Sequence, residues 1–101
     1  MMTRLCSDVI RSLEGRTLVT AESCTGGGIG AALTAVPGSS AVFKGGIISY
    51  TNWVKENMLR VPGEVLETYG AVSSQVAQAM AEGARSVLQA DIAPSAIACA
   101  T

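Results

Sequence analysis

The chain contains no histidine and little charge: seven basic and eight acidic side chains among 101 residues, for a net charge of −1. The first absence removes the usual proton acceptor of serine and cysteine hydrolases, so any nucleophile here needs another base, and lysine is the leading candidate. The scarcity of charge, with no basic run and a single tryptophan, removes the electrostatic footprint of a nucleic-acid binder and of a polybasic membrane patch. Cys6, Cys24 and Cys99 are far apart and never form a C-x-x-C pair. Neither a disulfide framework nor a zinc site is indicated, and reduced thiols in a cytoplasmic protein are expected. Arg4, Asp8 and Arg11 interrupt the apolar residues of the N-terminus, which therefore lacks the uninterrupted stretch of a signal peptide. The uncharged run from Ser23 to Phe43 has the length of a membrane span, yet it holds five glycines, Pro37 and many hydroxyls, which excludes that reading.

What is present fits one domain. A chain of this size buries only about 60 to 70 per cent of its unfolded surface. Hydrophobic residues make up 49% of the chain and charged ones 15%, against roughly 25% charged in an average soluble domain. Apolar surface is thus expected to seek a partner, most simply in a homo-oligomer.

Helices and strands alternate along the sequence. Leu5, Val9, Ile10 and Leu13 recur at helical spacing after a Thr3 cap, with Gly15 ending the helix. Thr17–Ala21 reads as a buried strand and Gly46–Tyr50 as another. Between them a helix carries Ile29, Leu33 and Val36 on one face and stops at Pro37-Gly38. Thr51-Asn52 supplies a cap for a short helix with Lys55, Met58 and Leu59, closed by Pro62. Val65, Leu66 and Tyr69 suggest a further helix ended by Gly70. Ser73 or Ser74 caps the longest one, whose apolar stripe is Val76, Met80, Ala84, Val87 and Leu88, and Ser95–Ala100 is a last strand. Alternation of this kind predicts a layered α/β/α domain with a largely parallel or mixed sheet, where ligands gather at the carboxyl ends of the strands.

The segment from Thr20 to Lys55 crowds Ser23, Thr25, Ser39, Ser40, Tyr50 and Lys55 around a triple-glycine turn. Thr20-Ala21-Glu22-Ser23-Cys24-Thr25-Gly26-Gly27, Gly38-Ser39-Ser40, Gly45-Gly46-Ile47-Ile48-Ser49-Tyr50-Thr51-Asn52, Lys55 and Gly70-Ala71-Val72-Ser73 together, in this order and spacing, resemble the CinA C-terminal domain family. The resemblance implies an amidase that converts nicotinamide mononucleotide to nicotinic acid mononucleotide and ammonia, with no metal or organic cofactor. Position by position, it implies Ser40 as nucleophile, Lys55 as its base and Tyr50 as support for the pair. It makes Ser23, Thr25, Gly26 and Gly27, in one loop, and Ser39, beside the nucleophile, substrate-binding positions. Family members continue past a Ser/Thr-Gly-Ile-Ala-Gly-Pro segment into further strands, a helix and a substrate-contacting arginine. Thr101 matches that threonine and counts as a substrate-binding position, the alternative being Ser95. On this reading residues 1–101 are a single domain lacking the family's C-terminal elements, and a non-catalytic remnant that self-associates is the alternative to an enzyme.

The chemistry stands apart from the resemblance. A Ser-Lys pair supplies both nucleophile and base for amide hydrolysis. A lysine near the start of a helix and partly buried is pushed toward its neutral form. Backbone N–H groups of the turn after Pro37-Gly38 are candidate oxyanion donors, and the helix start at Thr25–Gly28 suits a phosphate oxygen. Each residue also has a plain role: serines at 39 and 40 suit a turn, Lys55 an exposed helix face, Cys24 a small buried position, and Glu22 a helix cap or solvated site.

Overall fold

The computed structural model describes residues 2–96. Three strands, β1 (Leu18–Glu22), β2 (Phe43–Ile48) and β3 (Ser95–Ala96), form a wholly parallel sheet in the order β2-β1-β3. The register runs from Leu18 opposite Phe43 to Glu22 opposite Ile48, with an irregularity after Leu18. All five β1 residues are buried, as expected for the central strand of a sheet covered on both faces.

Alternation along β1 divides the core in two. Val19 and Ala21 face one layer, where they pack with Leu59, Val61, Leu66, Val76, Met80 and Ala84. This layer is built by α4 (Gly63–Tyr69) and α5 (Ser74–Leu88). Leu18 faces the other, with Cys6, Ile10, Leu33, Val36 and Val42, built by α1 (Met2–Ser12) and α2 (Gly28–Thr34). The expected α/β/α layering with a parallel sheet is therefore what forms. Gly83 lets α5 approach closely, since a Cβ there would collide with the Leu59 backbone.

Local signals fixed most ends. Ser73 caps α5 by accepting from the Val76 N–H at 3.2 Å. Thr51 caps α3 (Asn52–Asn57) by accepting from the Val54 N–H at 3.4 Å, and Gly70 closes α4 with a positive φ of 81°. Several boundaries differ from expectation: β1 starts at Leu18 and not Thr17, β2 stops at Ile48 and not Tyr50, and α2 ends at Thr34, before Val36. Thr3 lies inside α1 rather than capping it. β1 runs one residue further, through Glu22. Met58 and Leu59 follow α3 instead of belonging to it. β2 begins at Phe43, because Phe43-Lys44-Gly45-Gly46, which reads as loop on propensity, is recruited by pairing with β1; Gly46 lies where a Cβ would meet the Thr20 side chain. Of the expected strand Ser95–Ala100, the part after Ala96 lies outside the described residues, as does Thr101.

Candidate functional site at the carboxyl edge of the sheet

Because β1 and β2 are parallel and adjacent, their carboxyl ends bring two loops together: Ser23–Gly27, leading into α2, and Ser49–Thr51, leading into α3. Lys55 points back from α3 into this junction. It is 2% exposed, and its Nζ donates to Ser23 Oγ at 3.1 Å, to the Ser49 carbonyl at 2.8 Å and to the Tyr50 carbonyl at 3.3 Å. None of these partners is a carboxylate. Burial without a counter-charge pushes the Lys55 amine below the usual lysine range. Burial is its cause here, whereas the expected help from the helix start is not: Lys55 lies in the last turn of α3, where the dipole favours a cation.

Glu22 closes the other side of the junction. Its carboxylate accepts from the N–H groups of Ile29 at 2.9 Å and Gly30 at 3.0 Å, and from the hydroxyls of Thr25 at 2.8 Å and Thr20 at 3.4 Å. Burial alone would raise its pKa, yet these donors together hold it below the usual carboxylate value. Glu22 thus takes the capping role anticipated for it, buried rather than solvated. The Ile29 and Gly30 donors at the start of α2, next to the Thr25–Gly28 loop expected to take a phosphate oxygen, are held by this carboxylate. The Gly26 and Gly28 N–H groups donate to the Ser23 and Thr25 carbonyls.

The expected residues divide between two edges. Ser23, Thr25, Gly26, Gly27, Tyr50 and Lys55 gather at the carboxyl edge. Ser39 and Ser40 do not: they form a 3-10 turn (Ser39–Ala41) just before β2, at the amino edge. β2, about 16 Å long at roughly 3.3 Å per residue, runs between them and the Ser49–Thr51 loop that leads to Lys55. Within one chain the Ser40–Lys55 pair is therefore not made, and Ser23 holds the place expected for Ser40. Ser40 is exposed and Ser39 buried. The Ser39, Ala41 and Val42 N–H groups of the turn donate to carbonyls of its own neighbourhood, so they are spent as oxyanion donors. Tyr50 contributes its carbonyl, while its side chain is 72% exposed. Gly27 has φ 95°, a left-handed backbone that favours glycine, and a Cβ there would also displace the end of the Ile48 side chain. Cys6 is a free buried thiol, as expected for it.

Ser49 went unassigned in the sequence. It is fully buried, and its N–H and hydroxyl both donate to the Glu22 carbonyl, at 2.6 and 3.1 Å. A serine ending an apolar strand was the signal available for it.

The sequence model of the CinA C-terminal domain family matches residues 2–100. The chain belongs to that family. It is 62% identical over 98 residues to a CinA-like protein of Parasynechococcus marenigrum (strain WH8102), covering 93% of this chain and 23% of that protein. It is 58% identical over 89 residues to one from Synechococcus sp. (strain CC9902), covering 86% of this chain and 21% of that protein. Among solved structures, the competence/damage inducible protein CihA from Agrobacterium tumefaciens superposes with a TM-score of 0.90 at 45% identity, over 93% of this chain and 58% of that one. A CinA superfamily protein from Escherichia coli gives 0.92 at 35%, over 94% and 56%. Among the described residues no helix is long and apolar enough to cross a membrane.

Proposed function

We propose that this CinA domain is a cytoplasmic amidohydrolase acting on nicotinamide mononucleotide, with Ser23 as nucleophile and Lys55 as base. The observation that carries this reading is the 3.1 Å contact between Ser23 Oγ and a buried lysine amine that has no carboxylate partner, in a chain without histidine. In its neutral form Lys55 keeps two N–H groups on the Ser49 and Tyr50 carbonyls and turns its lone pair to the Ser23 hydroxyl, taking that proton as Oγ attacks the carboxamide carbon. The resulting ammonium gives that proton to the amide nitrogen of the tetrahedral intermediate, whose C–N bond breaks to release ammonia and leave an ester on Ser23. Water then attacks that ester and gives a proton to Lys55, which returns it to Ser23 Oγ as the C–Oγ bond breaks and nicotinic acid mononucleotide is released. Ser23 and Lys55 are 5% and 2% exposed, so the carboxamide reaches them only if the Ser23–Gly27 turn or the Ser49–Thr51 loop moves aside.

A second reading keeps Ser40 as nucleophile by supplying it from another copy of the chain. It is favoured by the position of β2 at the edge of the described sheet and by the exposure of Ser40 beside a groove of about 340 Å³. Two copies pairing β2 antiparallel about a twofold axis bring Ser40 of the partner subunit toward the Ser49–Tyr50 end. Ammonia release from nicotinamide mononucleotide tests both. Under the first reading Ser40→Ala is active alone; under the second it is inactive alone and regains activity when mixed with Lys55→Ala chains. No ammonia from the unmutated chain would leave a non-catalytic member that binds a nucleotide weakly or not at all.

A further inference from the structure

Glu22 is joined to both members of the Ser23–Lys55 pair by separate routes. Ser23 is its chain neighbour, at the point where β1 ends. Its carbonyl receives both Ser49 donors, and the Ser49 carbonyl in turn receives Lys55 Nζ at 2.8 Å. Ser23 Oγ, Lys55 Nζ, the Ser49 backbone and Glu22 therefore form one closed ring of covalent and hydrogen bonds. The ring passes through the Glu22 backbone, so a backbone rotation there bears on the Ser23–Lys55 spacing.

What holds Glu22 is its side chain. Residue 22 falls on the same face of β1 as Leu18 and Thr20, away from Lys55, and its carboxylate is pinned by four donors from Thr20, Thr25, Ile29 and Gly30. Gly27, the residue preceding α2, has no side chain with which to cap it, and Glu22 performs that task from seven residues upstream of Ile29. A capping residue drawn from the start of the helix would leave the end of β1 free to shift. One drawn from β1 locks strand, turn and helix together.

We propose that Glu22 is a positioning residue whose carboxylate, by tying the start of α2 to the end of β1, fixes the spacing of Ser23 and Lys55. The proposal concerns the same site as the amidohydrolase reading and rests on it for its functional meaning. The geometric claim is testable without turnover. Replacement by glutamine keeps the size of the side chain but turns one acceptor oxygen into an NH2 group, which faces a backbone N–H and cannot accept from it.

The experiment follows the Lys55 side-chain amine by NMR titration in the full chain, for the unmutated protein, Glu22→Gln, Thr25→Ala and, as a control on the exposed face of α5, Glu82→Gln. The expected result is a Lys55 titration that moves up toward an ordinary lysine in Glu22→Gln as the ring loosens and water enters. Thr25→Ala, which removes one of the four donors, moves it the same way by less, and Glu82→Gln leaves it unchanged. Should Glu22→Gln fail to fold, Thr25→Ala carries the test. With nicotinamide mononucleotide, Glu22→Gln lowers kcat by about tenfold or more while KM stays within about twofold, the pattern of misplacement rather than lost binding. A Lys55 titration that does not move in a folded Glu22→Gln chain, or in Thr25→Ala if that is the variant that folds, overturns the proposal even if the protein is an amidase. A titration that moves in a protein releasing no ammonia overturns the amidase reading and leaves the positioning role intact.

Discussion

The two edges of the sheet use serine in opposite ways. At the carboxyl edge Ser23 and Ser49 are buried, and their hydroxyls are bonded to groups far off in sequence: Lys55 Nζ and the Glu22 carbonyl. At the amino edge Ser39 and Ser40 make a local turn held by backbone bonds, and Ser40 faces solvent. The contrast teaches that a hydroxyl in a motif says little about reactivity until the strand order decides which edge it occupies. Chemistry concentrates where two parallel strands end side by side, because only there do two loops and a returning helix meet.

The sharpest break in this comparison is removal of Lys55. Lys55→Met keeps the aliphatic stem but strips the donor from the Ser49 and Tyr50 carbonyls. Ammonia release is expected to fall by about a thousandfold or more, and urea denaturation to show a loss of about 1–3 kcal/mol from the unsatisfied acceptors. Unchanged turnover in Lys55→Met would remove the carboxyl edge as the site. Next in size is the serine pair. Ser23→Ala is expected to lose turnover by about the same factor as Lys55→Met, with little added in the double variant because the two act as a unit, whereas Ser40→Ala stays within about twofold. Steady-state ammonia assays decide, and reversed outcomes would move the nucleophile to the amino edge.

A smaller effect is acid sensitivity. Glu22, and Asp91 through its bonds from the Thr17 N–H and hydroxyl, both titrate below their ordinary values. A depressed carboxyl contributes stability that is present above the unfolded carboxyl value of about 4 and lost as pH falls through the folded one. The carboxylate contribution to the denaturant midpoint is therefore expected to drop on acidification past about pH 4, with Glu22→Gln removing part of that drop. An identical slope in Glu22→Gln would mean that the carboxylate is not held as described. Smallest is Ser49→Ala, which leaves the N–H to the Glu22 carbonyl in place and loses only the hydroxyl; a cost of about 1 kcal/mol is expected by urea denaturation.

How much of this was legible in the sequence follows from the range of each interaction. Ser73 and Thr51 announce their caps because capping is settled within three residues. The buried character of β1 is written in Leu18, Val19 and Ala21. The start of β2 is not, since Gly45 and Gly46 have no propensity of their own and become strand only through pairing with β1. Lys55 stands out in the sequence and is buried in the fold, but its serine partner lies 32 residues away, and the choice between Ser23 and Ser40 depends on a parallel register that no local signal encodes. Glu22 resembled a solvated or capping residue; that it caps from β1, and so joins the helix to Ser23, depends on where α2 turns back.

The central claim is that Ser23, and not Ser40, takes the acyl group. Its most direct measurement is to quench the protein during turnover of nicotinamide mononucleotide and locate the added mass by tandem mass spectrometry of the peptide from Thr17 to Lys44, which contains both serines. The account predicts an ester on Ser23 in the unmutated chain, absent from Lys55→Met. The same mass on Ser40, with Ser23 unmodified, would contradict it.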